Sequence, residues 1–223
     1  MNTFDPFDQA PYDEEVSEAQ AEAILEHLPT GASVIDLGCG IGRVARRICE
    51  QVGIIGIDRD PNVLAAFEKA TGSESRLLDF ATDPDGLPDG LFDAVLFLGN
   101  TMMEIVDPMV AQAVFQAIGR RLKPGGFLAI DDFPITLWEE LTEGNWGTGM
   151  DDEQSMQMIW EPGEPVFVLR RDDEVDTECW VPRASDRRFR LWSLGELRLL
   201  GSAAGLDGPT PLSGGGLLVM KHI

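Results

Sequence analysis

The chain has 223 residues, 43% hydrophobic and 25% charged, ordinary globular usage that excludes a disordered, collagenous or coiled-coil protein. Its 17 basic residues against 39 acidic ones give a net charge of −22. That field repels phosphate backbones and anionic membrane faces, so neither nucleic acid nor a lipid surface is an expected partner.

The opening stretch MNTFDPFDQAPYDEE has no basic region leading into an apolar one, and no apolar run approaches a membrane span of ~18 residues. A secretory leader and a transmembrane segment are therefore not expected. Cys39, Cys49 and Cys179 are widely spaced with no C-x-x-C pair, which fits neither a disulfide framework nor a zinc site. The expectation is a cytoplasmic protein.

Ser17 followed by Gln20 has the spacing of a capping box and predicts a helix start, with Val16, Ala23, Ile24, His27 and Leu28 near helical spacing. His27 on that face reads as a buried or boundary residue, not a base. Ser33–Leu37 is a β-branched strand leading into Gly38-Cys39-Gly40-Ile41-Gly42. Beyond the glycines, Ile41, Val44, Ala45, Ile48 and Val52 recur on one face of a predicted helix. Residues 53–57 form a second strand closing on Asp58, and Asp60-Pro61 caps the next helix. Residues 75–78 form a third strand ending at Asp79-Phe80, residues 83–90 a loop, and residues 92–98 a fourth strand. Asp107-Pro108 opens another helix, and Lys123-Pro124-Gly125-Gly126 reads as a turn into a fifth strand at 127–130.

Five near-continuous apolar strands alternating with helices predict an α/β fold with a parallel sheet covered on both faces. Residues 131–192 break this rhythm. They hold Trp138, Trp146, Trp160 and Trp180, and alternating stretches at 156–160, 166–170 and 175–181 predict an antiparallel insertion. A second capping box, Ser193 with Glu196, starts a late helix, and residues 216–222 form a last strand.

The glycine turn is the most informative piece. Glycine at 38, 40 and 42 leaves backbone bare for a ligand. The spacing is G-x-G-x-G, not the G-x-G-x-x-G of dinucleotide sites, which counts against a nicotinamide oxidoreductase. Asp36, Asp58 and Asp79 end three successive strands and line one crevice. There Asp58 would reach a ribose diol and Asp79 an exocyclic amine.

The segment Val34-Ile35-Asp36-Leu37-Gly38-Cys39-Gly40-Ile41-Gly42-Arg43 closely resembles the first motif of class I S-adenosylmethionine-dependent methyltransferases. Gly56-Ile57-Asp58-Arg59, Leu78-Asp79-Phe80 and Phe92-Asp93-Ala94-Val95 are similar to the second, third and fourth motifs. Residues 190–197 and 203–206 look like the helix that precedes the terminal hairpin.

The resemblance implies a doubly wound Rossmann-like sheet, mostly parallel with an antiparallel C-terminal strand. The chain then reads as one methyltransferase domain over 1–223, with an N-terminal lid and helix at 1–30 and a substrate-side insertion at 131–192. It implies S-adenosylmethionine as cofactor. Gly38, Gly40 and Gly42 would meet its methionine part, with Cys39 a small filler in the same turn. Asp36 would hold the ammonium, Asp58 the ribose, Arg59 the adenine face, Asp79 the adenine amine, and Phe80 would add a backbone contact. Gly99-Asn100 would stand beside the sulfonium. Asp131, Asp132 and Tyr12 remain alternatives for proton removal, and no metal is expected.

Gly99-Asn100-Thr101 also resembles a stretch of small-molecule N-methyltransferases, so a small N or O acceptor is the leading expectation. Trp138, Trp146, Met150 and Trp160 either wall a cationic amine or fill the insertion's core. A silent cofactor-binding module, or an enzyme acting on protein or RNA, are the other readings.

Overall fold

A computed structural model describes residues 14–131, 133–151, 153–212 and 216–223. Seven strands form the main sheet: β1 (Ser33–Leu37), β2 (Gly53–Asp58), β3 (Glu74–Leu77), β4 (Phe92–Phe97), β5 (Leu122–Asp131), β9 (Leu206–Leu212) and β10 (Leu217–His222). Their order is β3-β2-β1-β4-β5-β10-β9. β1 pairs in parallel with β2 and β4, and β10 runs antiparallel to both β5 and β9. The expected doubly wound sheet with an antiparallel C-terminal strand is thus the observed one. Its order reverses between β1 and β4, which opens a crevice at the carboxyl ends of those strands.

The strands alternate between two cores. Val34, Ala94 and Leu96 pack with Ile24, Ile48 and Phe67 on one face. Ile35, Leu37, Val95 and Phe97 pack with Phe115, Ile118 and Leu197 on the other. The first face is covered by α1 (Glu14–Leu25), α2 (Ala45–Ile48) and α3 (Pro61–Thr71), and the second by α4 (Pro108–Arg121) and α6 (Leu194–Ala203). Asp60 and Asp107 cap α3 and α4 as expected, each ahead of a proline. The Ser193–Glu196 capping box is fully formed.

At the α4–α6 crossing a Cβ on Gly119 would sit 2.2 Å from the Ala204 carbonyl oxygen. Because the obstacle is backbone, Gly119→Ala should cost about 1–3 kcal/mol, read as a lowered midpoint in denaturant with unchanged slope.

Several expectations are corrected. Ser17 and Gln20 lie inside α1, both buried, and make tertiary hydrogen bonds instead of a cap. His27 is exposed beyond the helix end, edge-on to Phe127. The apolar face after the glycines is buried at Val44, Ala45, Ile48 and Val52, but only one helical turn forms there. Lys123–Gly126 is absorbed into β5 at a register shift against β4.

The insertion begins with an unforeseen helix, α5 (Phe133–Glu143), ahead of an antiparallel sheet of β6 (Met156–Trp160), β7 (Val166–Arg171) and β8 (Arg188–Arg190). The third strand is therefore 188–190; residues 175–181 form no strand. Arg170 explains why. Its guanidinium, 1% exposed, donates to the carbonyls of Cys179 and Val181 and to Asp186, so the segment folds around a buried charge. Met103, Leu137, Met158, Phe167, Phe189 and Leu191 form the insertion's core.

Candidate functional site

A cleft of about 460 Å3 lies at the carboxyl ends of β1, β2, β3 and β4. Asp36, Gly38, Cys39, Gly40, Asp58, Arg59, Asp79, Phe80 and Gly99 all line it. Nine residues singled out from the sequence are thereby gathered into one concavity. Gly42, Asn100 and Asp131 are outside its lining, and Tyr12 and Asp132 fall outside the described residues.

The glycine turn is pinned from two sides. The N–H groups of Gly38 and Cys39 both donate to the Ile57 carbonyl, at 2.8 and 3.0 Å. Gly38 has φ +68°, and a Cβ there would lie 2.4 Å from the Thr101 methyl, so this glycine lets the turn after β4 close on the turn after β1. Gly40 is different: φ is +52° and an added Cβ would meet nothing within 4 Å. It presents bare backbone to open cleft, as does Gly99. Gly42 faces Phe67 and Thr71 of α3, both 3.1 Å from a would-be Cβ, and serves packing.

Asp58 links the turns. Its Oδ2 accepts from the Gly40 N–H at 3.1 Å and its Oδ1 from the Asp60 N–H at 3.0 Å. Each oxygen keeps acceptor capacity toward the cleft. Asp79 accepts from the Ala81 N–H at 3.1 Å, and the Phe80 ring is fixed edge-on against Phe97 at 5.7 Å.

Asp36 is 5% exposed. Burial pushes its carboxyl up to about 7; the Arg43 guanidinium opposes the rise, and the Asp58 and Asp131 carboxylates add to it. Burial likewise drives the Cys39 thiol well above its ordinary range, so it is a filler and not a nucleophile.

Asp131 is 2% exposed and held as a bracket. Its Oδ1 accepts from Gln20 Nε2 and its Oδ2 from the Asn100 N–H, both at 3.0 Å. Asn100 itself is 4% exposed, with φ +62°. The pair thus fixes the turn behind Gly99 instead of facing the cleft. Gln20 was read as a cap, so this partnership of residues far apart in sequence was missed.

Glu104 and Arg187 were also missed. Both line the cleft, and Glu104 pairs with Arg59 at 2.8 Å and with Arg187. Arg187 is reached through the insertion, and nothing in its local sequence announces the contact. Trp146 and Trp160 pack against the insertion's core and do not line the cleft, nor do Trp138 and Met150. Of the two readings, core filling is the one observed for Trp146 and Trp160.

Among the described residues no helix is long and apolar enough to cross a membrane.

Residues 34–126 match the family model described as a methyltransferase domain. The protein YqeM of Bacillus subtilis (strain 168) is 26% identical over 181 residues, covering 80% of this chain and 70% of that protein. Phosphoethanolamine N-methyltransferase 1 of Arabidopsis thaliana is 34% identical over 127 residues, covering 52% of this chain but 25% of the plant protein. Among solved structures, the sugar N-methyltransferase KedS8 from Streptoalloteichus sp. superposes with a TM-score of 0.61 at 21% identity, covering 96% of this chain and 89% of that one.

Proposed function

This chain belongs to the class I S-adenosylmethionine-dependent methyltransferases, and from that premise we propose that it methylates a small-molecule nitrogen or oxygen acceptor presented beside Gly99. The observation that carries this reading is the convergence of Asp36, Asp58 and Asp79, from the ends of three strands, on a cleft floored by open glycine backbone.

The residues present fit the cofactor. Gly40 and Gly99 leave space that any side chain would fill, and Asp58 has spare acceptor capacity where a diol needs it. In this proposal Asp58 holds the ribose hydroxyls, Asp79 and Phe80 the adenine, and Arg59 its face. Gly38 and Gly40 receive the methionine part, whose ammonium pairs with Asp36. S-Adenosylmethionine supplies an already activated methyl group, so the protein's work is alignment and exclusion of water. Asp131 and Asn100 act in this scheme by fixing the Gly99 turn; a proton-removing role for Asp131 requires an acceptor that reaches behind that turn. Tyr12 remains a candidate of the 1–30 segment.

Two features support a neutral or cationic acceptor, and a third supports an amine. The cleft lining holds Asp36, Asp58, Asp60, Asp79 and Glu104 against Arg43, Arg59 and Arg187. The whole chain carries −22. The phosphoethanolamine and sugar N-methyltransferases among its relatives are named for amines. The same field disfavours nucleic acid and membrane partners. One domain over 1–223, with 131–192 on the acceptor side, completes the proposal. Three unpaired cysteines fit a cytoplasmic setting.

The test is a labelled-methyl screen over amines, phenols and carboxylates, with protein and RNA as further acceptors. Product with an amine or hydroxyl acceptor is expected. Labelling of protein or RNA alone would replace the acceptor class, and cofactor binding with no product would favour a silent module.

Asp36 gives this reading a pH signature. Its folded value of about 7 lies above the ordinary 3.8, so the stability it contributes is full below the ordinary value and lost as pH rises toward about 7. A bound ammonium reverses this by favouring the carboxylate. Affinity for S-adenosylmethionine should therefore rise with pH up to about 7. Calorimetry across that range should show the slope in the wild type and a flat, weaker response in Asp36→Asn.

A further inference from the structure

Three charged side chains that line the cleft are linked in series. Glu104 ends a 3₁₀ turn, Thr101–Glu104, just beyond β4. Its Oε2 accepts from Arg59 Nη2 at 2.8 Å, and its Oε1 accepts from Arg187 Nη2.

The two joints of this series are unequal. On one side everything is anchored. The Arg187 guanidinium lies 5.2 Å over the ring of Phe189, itself 2% exposed in the insertion's core. The residue before it, Asp186, is clamped by buried Arg170. The turn carrying Glu104 is anchored too: Met103 is fully buried, and the Met102 carbonyl accepts from the Trp192 indole at 3.0 Å. On the other side, Arg59 is a long side chain pivoting from the end of β2, 63% exposed. An ion pair that exposed is weak and opens readily.

We propose that Arg59 is a swinging gate on the cofactor cleft, docked on a Glu104 carboxylate that Arg187 holds in place. Glu104 and Arg187 are thus positioning residues that connect the insertion to the cofactor's side of the cleft. The inference rests on the reading of the cleft as an S-adenosylmethionine site. Arg59 leaves Glu104 to let the nucleoside end in or out, and returns to retain it. Removing either partner of the docking pair frees the gate, whereas removing Arg187 weakens the dock only while Arg59 is there to use it.

The test is surface plasmon resonance of S-adenosylhomocysteine over the immobilised full chain. Arg59→Gln and Glu104→Gln should each speed dissociation about two- to fivefold, the range of one exposed ion pair. The double variant should be no faster than Arg59→Gln alone, the mark of a shared interaction. Arg187→Gln should speed dissociation in the wild-type background and do nothing in the Arg59→Gln background. Arg59→Lys, which keeps the charge, should restore most of the slow rate. Unchanged rates in the single variants, or effects that multiply in the double one, overturn the gate while leaving the cofactor site intact. Absence of any S-adenosylhomocysteine binding by the wild type overturns both.

Discussion

Asp58→Ala is expected to weaken S-adenosylhomocysteine binding by an order of magnitude or more, at least about 1.4 kcal/mol. The carboxylate does two things at once. It accepts the Gly40 and Asp60 N–H groups, which sets the glycine turn against β2, and it retains acceptor capacity toward the cleft. Hydrogen bonds to a charged group contribute about 1.5–3 kcal/mol each, so losing a pair to a diol is costly even before the turn relaxes. Asp58→Asn keeps one oxygen and should lose less. Calorimetry on the three proteins separates the parts. If Asp58→Ala binds as tightly as the wild type, the ribose assignment is wrong.

The largest effect on stability is expected at Arg170. Its side chain is 1% exposed and that of Asp186 10%, so the pair is largely withdrawn from water. Arg170→Ala removes the guanidinium from the Asp186 carboxylate, which keeps only the Arg183 N–H, and from the carbonyls of Cys179 and Val181. Breaking a buried pair from one side costs about 3 kcal/mol or more, a drop in Tm of roughly 6–12 °C for a chain of this size. The pH dependence gives a second check. Although burial would raise it, the Arg170 hydrogen bonds, with the Arg183 N–H and the two guanidinium charges, hold the Asp186 carboxyl below its usual range. Its contribution is therefore present above the ordinary carboxylate value and lost as pH falls through the depressed one. The wild type should lose this part of its stability in acid, and Arg170→Ala should show a smaller loss, the Arg183 N–H still holding the carboxylate. A Tm within a degree or so of wild type would show that the loop does not depend on the clamp.

The main sheet was legible because buried parallel strands are written as unbroken apolar runs: β1 is found where Ser33–Leu37 was expected, and β2, β3 and β4 agree within a residue. The acids that close those strands were legible for the same reason, since each ends an apolar run. What failed was wherever long-range polar contacts decide the local structure. Ser17 and Gln20 have capping-box spacing, yet that spacing also places two polar groups on one inward face, where Arg43 and Asp131 claim them. The alternation at 175–181 suggested a strand, but Arg170 and Gln157 draw its carbonyls into a buried polar network instead. The strand that forms, Arg188–Arg190, is too short and too charged to stand out. Glu104 and Arg187 are brought together only by docking of the insertion, so the charged rim of the cleft had no local sign. Of the two readings open for the tryptophans, core filling holds for Trp146 and Trp160; large aromatic rings are the natural filling for a small added sheet.

The most direct test of the account is calorimetric titration of the wild-type chain with S-adenosylhomocysteine, with NADH as the comparison ligand. One site per chain with micromolar affinity, and no heat from NADH, is the result predicted. Silence with S-adenosylhomocysteine together with clear binding of NADH would contradict the assignment of the cleft.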